Sequence, residues 1–185
     1  ARLNKVHKTW HAWQPGTLTD INRQLANGET ITLDQNTLLI INKAQELAQD
    51  SNHLFNPAIG KLIALWGFHS DERPNGPPPE SAAINALLEQ KPRLTALTIP
   101  ETTLSSSNPA VQLDFGGFAK GYAVDVAIYE LKRLHITNAI VNAGGDLRAI
   151  GQHGERPWRI GIRHPQKTGI IASLETEGNE SVFTS

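Results

Sequence analysis

Between Val111 and Gly121 the chain reads Val-Gln-Leu-Asp-Phe-Gly-Gly-Phe-Ala-Lys-Gly, then runs on through Tyr122 to Asp125. An apolar stretch ends in a carboxylate, Asp114, passes two glycines and enters a helix-forming run. Glycines at such a point let the backbone come close to a ligand, and the free N–H groups at the start of a helix favour an anion. Lys120, in the first helical turn, adds a full positive charge that a phosphate can use. Asp114 is out of place in a pocket for an anion alone. It fits if the ligand also carries hydrogen-bond donors, or if a cation shares the site. The pattern is neither a P-loop, because Gly121-Tyr122 follows the lysine, nor Gly-x-Gly-x-x-Gly. On spacing alone the glycine pair reads as a structural turn, since glycine's permissive backbone explains it.

The elements around this segment follow from periodicity and punctuation. Leu3, Val6, Trp10 and Trp13 recur at spacings of three and four, which suits a short amphipathic helix ending before Pro15-Gly16. Thr19 or Asp20 caps a helix through Leu25, closed by Asn27-Gly28, and Ile31 to Leu33 is extended. Asp34 is an N-cap for a helix to Asp50 with Leu38, Ile41, Ala44, Gln45 and Ala48 on one face. Pro57 opens a further helical turn in which Ile59, Leu62, Ile63 and Trp66 bury one side. Residues 69–79 form a polar, Pro- and Gly-rich surface loop, and Ser81 to Glu89 a short helix. Leu94 to Ile99, Val111 to Phe115 and Ala139 to Asn142 read as strands, with a helix from Phe118 to Leu134. Trp158 to Ile162, Ile170 to Thr176 and Val182 to Thr184 read as an antiparallel meander. Helices early and strands late predict an α+β fold: two layers, an antiparallel sheet with helices packed on one face.

Composition bounds the function. With 185 residues the chain suits one domain, 1–185; 39% hydrophobic and 19% charged residues describe a globular protein. Seventeen Lys and Arg balance 18 Asp and Glu, so no basic field draws the chain to nucleic acid. There is no cysteine, which excludes disulfides, thiolate metal sites and cysteine nucleophiles. There is no methionine either, and the chain reads as a processed or partial form of a longer protein.

Five blocks occur in order: Phe55-Asn-Pro-Ala-Ile-Gly60, Leu65-Trp-Gly-Phe68, Asp114 to Asp125, Val141-Asn-Ala-Gly-Gly-Asp146 and Trp158-Arg-Ile-Gly-Ile162. Together they resemble the FAD:protein FMN transferase (ApbE) family, over about residues 3–185. The closing Val182-Phe-Thr-Ser185 is similar to the start of the family's Thr-Ser-Gly-Asp-Tyr segment. The resemblance implies a T-fold-like domain truncated at its C-terminus. It implies an enzyme that splits FAD, transfers FMN to a threonine of an acceptor flavoprotein, releases AMP and needs magnesium. Metal-dependent FAD pyrophosphatase and non-catalytic FAD binding are the alternatives.

By position, the resemblance places Asp114 and Lys120 against FAD and Gly117 on the metal through its backbone oxygen. Trp13 matches an aromatic that packs on the flavin, usually tyrosine; Leu54, Phe55 and Asn56 match the segment lining the FAD cleft, where aspartate is frequent at Asn56. The family's other metal ligands, an aspartate and a threonine, are expected beyond Ser185. The resemblance also implies a periplasmic or membrane-anchored location, with a lipid anchor in the precursor.

Other candidates read as structural. His7 and His11 lie one helical turn apart on a solvated face, and His53 is a surface histidine near Leu54 to Asn56. His164-Pro165 is turn chemistry, Trp66 and Trp158 are core, Asp146 caps a turn, and Asp125 is a helix-surface partner.

Overall fold

The first helix, α1 (Thr17–Ala26), forms because Leu18, Ile21, Asn22 and Leu25 fall on one buried face. Its N-cap is Gly16, three residues before Thr19, the earlier of the two caps expected from sequence. The Thr19 hydroxyl reaches back to accept from the Gly16 N–H at 3.0 Å, so Thr19 serves as the N3 partner of the cap. Gly28 (φ 74) turns the chain out, donating to the Leu25 carbonyl at 3.0 Å. This structure, a computed structural model, describes residues 9–72 and 74–183. Leu3, Val6 and His7 lie outside the described residues, as do Thr184 and Ser185; Thr9 and Trp10 are helical.

The chain divides into two compact units, Ala1–Gly117 and Phe118–Ser185. In the first, β1 (Ile31–Thr32) leads to Asp34, whose carboxylate accepts from the Asn36 and Thr37 N–H groups and starts α2 (Gln35–Asp50). The cap is where the sequence places it. The buried face is rotated from the expected one, to Thr37, Ile40, Ile41, Ala44 and Ala48, because the Thr37 hydroxyl bonds Asp34 at 2.7 Å and faces inward. Next come α3 (Gly60–Leu65) and α4 (Ser81–Glu89). Pro57 sits in the turn before α3, which begins three residues later.

Leu94–Ala96 is a 3₁₀ turn, and only Leu97–Thr98 (β2) continues as a strand. It pairs with β3 (Thr103–Ser106), an element without apolar alternation, which also pairs with β1. The antiparallel order is β1-β3-β2. Residues 111–115 are not a strand: only Gln112 bridges, to Ile59. Their backbone groups are taken up instead by the loop before α3 and by the side chain of Asn22.

The second unit is built around α5 (Ala119–Arg133), β4 (Ala139–Ala143) and β5 (Asp146–Ile150). Val124 and Ile128 of α5 pack with Ile150, flanked by Leu131 and by Ala139, Val141 and Ala143, which alternate along β4. Gly144 (φ 66) and Gly145 (φ 103) make the two-residue turn of the β4–β5 hairpin, a conformation that favours glycine at both positions. Strands β6 (Trp158–Arg163) and β7 (Ile170–Thr176) pair with each other as expected. The third member of the expected meander does not follow them: β8 (Glu180–Val182) pairs with β5, with Leu147 opposite Val182. The turn at 177–179, closed by the Glu180 carboxylate on the Glu177 N–H, carries the chain to that second sheet. Helices with antiparallel strands make the fold α+β, as the order of elements implies.

Candidate functional site

Asp114 is held from both sides. Asn22, on the buried face of α1, donates its amide to the Leu113 carbonyl (2.9 Å) and accepts from the Leu113 N–H (2.7 Å). On the other side Gln112 and Asp114 donate to the carbonyls of Ala58 and Pro57, and Gly60 donates to that of Gln112 at 2.8 Å. A Cβ on Gly60 would lie 2.7 Å from that same carbonyl oxygen, so only glycine admits this approach. Leu113 and Phe115, both fully buried, flank the carboxylate and anchor it in the core.

The carboxylate itself is 5% exposed and both oxygens are engaged. Oδ1 accepts from the Gly116 N–H at 2.7 Å, which sets the turn after Phe115. Oδ2 lies 2.8 Å from Nε2 of His69, whose side chain is 11% exposed. His69 belongs to the stretch read from sequence as surface loop. The loop is largely exposed, but this imidazole turns inward. Its ring stacks on Trp13, with centroids 5.4 Å apart and planes at 21°. On Trp13, 38% exposed, His11 also makes an edge contact at 4.2 Å. Trp13, His69 and Asp114, far apart in sequence, thus form one continuous group. The sequence signal for His69 is weak: one histidine directly after the Leu-Trp-Gly-Phe block.

The cleft-lining segment divides. A Cβ on Gly117 would meet the Phe55 ring at 3.3 Å, so the second glycine brings its backbone against Phe55. Leu54 is 91% exposed and points to solvent. The Asn56 amide braces the loop, donating to the Pro92 carbonyl (2.9 Å) and accepting from the Ala58 N–H (3.2 Å). Asn56 also lines a cavity of ≈ 170 Å³ with Ile59, Leu62, Leu88, Lys91 and Arg93. That volume is below the roughly 300–1,000 Å³ of typical small-molecule sites.

In the second unit Lys120 stands in the first turn of α5, whose N-cap, Phe118, makes no side-chain capping bond. Its ammonium lies 3.2 Å from Asp146 Oδ2. Asp146 therefore does not cap the hairpin turn. Asn142 does, accepting from the Gly145 N–H at 3.0 Å, because it precedes the two glycines. Asp125 is the structural partner expected of it: Arg148 of β5 donates to it at 2.6 Å and to Asn179 at 2.9 Å. Trp158 is half-buried, with its indole N–H on the Ile150 carbonyl, whereas Trp66, at the C-cap of α3, is 40% exposed and not core. His53 is exposed at φ 62, and His164 accepts from the Gln166 and Lys167 N–H groups as a turn residue. Among the described residues no three His, Asp or Glu side chains converge as metal ligands do.

Comparison with known proteins places this arrangement. The model of the ApbE family matches residues 1–185. The chain is 40% identical to an FAD:protein FMN transferase of Rhodobacter capsulatus over all of its own length and 35% of that protein. Two solved structures share the fold. The apbe protein of Thermotoga maritima has a TM-score of 0.79 at 25% identity, covering 96% of this chain and 59% of that one. A flavin transferase ApbE from Vibrio cholerae has a TM-score of 0.77 at 29% identity, covering 94% and 57%. The chain thus spans between about a third and somewhat over half of the relatives it matches.

Proposed function

Because the chain belongs to the ApbE family, we propose that it forms part of an FAD:protein FMN transferase, which moves FMN from FAD to a threonine hydroxyl of an acceptor flavoprotein and releases AMP. The observation that carries this reading is the glycine turn after Asp114, where Asp114 Oδ1 accepts from the Gly116 N–H and Gly117 lies against the Phe55 ring. N–H groups at a helix start and an adjacent ammonium suit a pyrophosphate, whose cleavage calls for positioning and charge neutralisation more than for covalent chemistry. Trp13 offers an indole face to the flavin ring. Asp114 and Phe55 shape the approach to the turn.

Magnesium belongs to the same reading through the family resemblance, with the Gly117 carbonyl as one ligand. The described residues do not by themselves make a magnesium site, since no three candidate side chains converge. No step here is routed through a metal. Export and a lipid anchor rest on the resemblance alone, and fractionation of the source cell tests them.

The deciding experiment incubates the full-length protein with FAD, magnesium and a threonine-containing peptide from an acceptor flavoprotein. The expected outcome is a peptide heavier by one FMN moiety, with AMP released in equal amount. Free FMN and AMP with an unmodified peptide would make the protein a pyrophosphatase; bound FAD left intact would make it a binding protein.

A further inference from the structure

We propose that the cavity lined by α3, α4 and the turn after α4 binds a compact phosphate monoester, at a site separate from the turn after Asp114. Three cations line it: Lys61 of α3, and Lys91 and Arg93 of the turn. None of its lining residues is acidic, and among the described residues none of the three cations stands in an ion pair. A recess lined by one sign of charge focuses its field on what enters, and here that field concentrates anions. Three positive charges exceed what a single carboxylate balances. A phosphate monoester brings about −1.5 to −2 at neutral pH, with three acceptor oxygens that a guanidinium can engage in pairs.

Lysine and arginine beyond a helix often do no more than complement its last carbonyls. Here those carbonyls are engaged by other groups. Gln90 Nε2 donates to the Ala86 carbonyl and the Lys91 N–H to that of Leu88, both at 3.0 Å. The Asn108 amide donates to the carbonyls of Gln90 (2.8 Å) and Lys91 (3.2 Å), and the Asn56 amide to that of Pro92 (2.9 Å). Three successive carbonyls of the turn are thus tied by side-chain amides from elsewhere in the chain. The turn is fixed, while the side chains of Lys91 and Arg93 have no hydrogen-bond partner among the described residues. The Lys61 ammonium is steadied by the Pro109 carbonyl at 3.3 Å.

The remaining lining sets the rest of the ligand. Ile59, Leu62, Leu87 and Leu88 give the cavity an apolar side, which suits a carbon stem on the phosphate. The volume of ≈ 170 Å³ limits that stem to a small ring or a short chain, since typical small-molecule sites take roughly 300–1,000 Å³. Asn56 borders the cavity as a brace, with its amide committed to Pro92 and Ala58. The site therefore stands on its own lining residues and does not depend on the transferase reading.

The test titrates phenyl phosphate, inorganic phosphate and benzoate into the full-length protein by calorimetry. It is run at low ionic strength without added metal, with and without saturating FAD to occupy the turn after Asp114. The expected result is one phenyl phosphate per chain, bound equally well with FAD present and more tightly than inorganic phosphate because of the apolar side. Lys91→Gln and Arg93→Gln should each weaken it about tenfold, and the double variant by about 10²-fold. Both residues are exposed, so the variants should keep the wild-type melting temperature and FAD affinity. Displacement of phenyl phosphate by FAD overturns the inference and makes the cavity part of the FAD cleft. Undiminished binding by the double variant overturns it by placing the anion elsewhere. Benzoate binding as tightly as phenyl phosphate overturns the assignment to phosphate, and absence of any binding overturns the site itself. FMN transfer to an acceptor peptide is decided separately and is untouched by each of these outcomes.

Discussion

The His69–Asp114 contact of the first unit differs from the charged contacts along α5 in surroundings more than in distance. In the first unit His69 and Asp114 meet at 2.8 Å with side chains 11% and 5% exposed. In the second, Arg148 and Asp125 meet at 2.6 Å and Lys120 and Asp146 at 3.2 Å, with one partner of each pair more than half exposed. The shorter contact is not the stronger one. Water screens the pairs along α5, whereas the carboxylate of Asp114 has traded its water for two fixed donors and loses heavily if either is removed. The Asp114 carboxylate is buried with both oxygens engaged, whereas the pairs along α5 each keep one partner in solvent.

That contrast can be broken or sharpened by mutation. The largest effect is expected from Asp114→Ala, which strips the acceptor from His69 and from the Gly116 N–H. Removing one member of such a buried contact costs about 3 kcal/mol, read as a fall in the urea midpoint, with weakened FAD binding in the fluorescence titration. Next comes Asn22→Ala, which leaves the buried N–H and C=O of Leu113 without partners at a cost of about 2 kcal/mol. Its FAD affinity should fall too, because the clamp sets where Asp114 sits. A stable Asn22→Ala protein with unchanged affinity would show that the turn at Gly116 holds Asp114 unaided. The smallest effect is expected from Arg148→Ala, below about 1 kcal/mol, with the wild-type advantage shrinking further in high salt. An Arg148 loss as large as that of Asp114 would erase the distinction between the two regions.

Much of this arrangement is legible in the residues. Asp34 caps α2 because a carboxylate before an apolar-periodic run can only reach N–H groups two and three residues on, a local relation. The Gly144-Gly145 turn, α5 and the β6–β7 ribbon are local in the same sense. The strands that the residue pattern misplaces fail for an identifiable reason. Residues 111–115 look like a strand because they are apolar, yet their hydrogen bonds go to Asn22, 91 positions away, and to the loop at 57–60. Strand β8 looks like the continuation of a meander until a turn sends it to β5. Trp66 looks like core in the residue pattern, yet at the C-cap of α3 it stands 40% exposed.

The site divides along the same line. The sequence by itself determined the α+β class, the ordered blocks, the glycine turn after Asp114 and the lysine in the first turn of α5, all set by residue type at short spacing. Only the tertiary structure decided that Asn56 braces its own loop, that Asp146 pairs with Lys120, and that His69 leaves an exposed loop to meet Asp114 across 45 positions. The physical reason is that a buried carboxylate must find donors wherever the fold brings them, and nothing in the spacing of the chain says which loop will supply one.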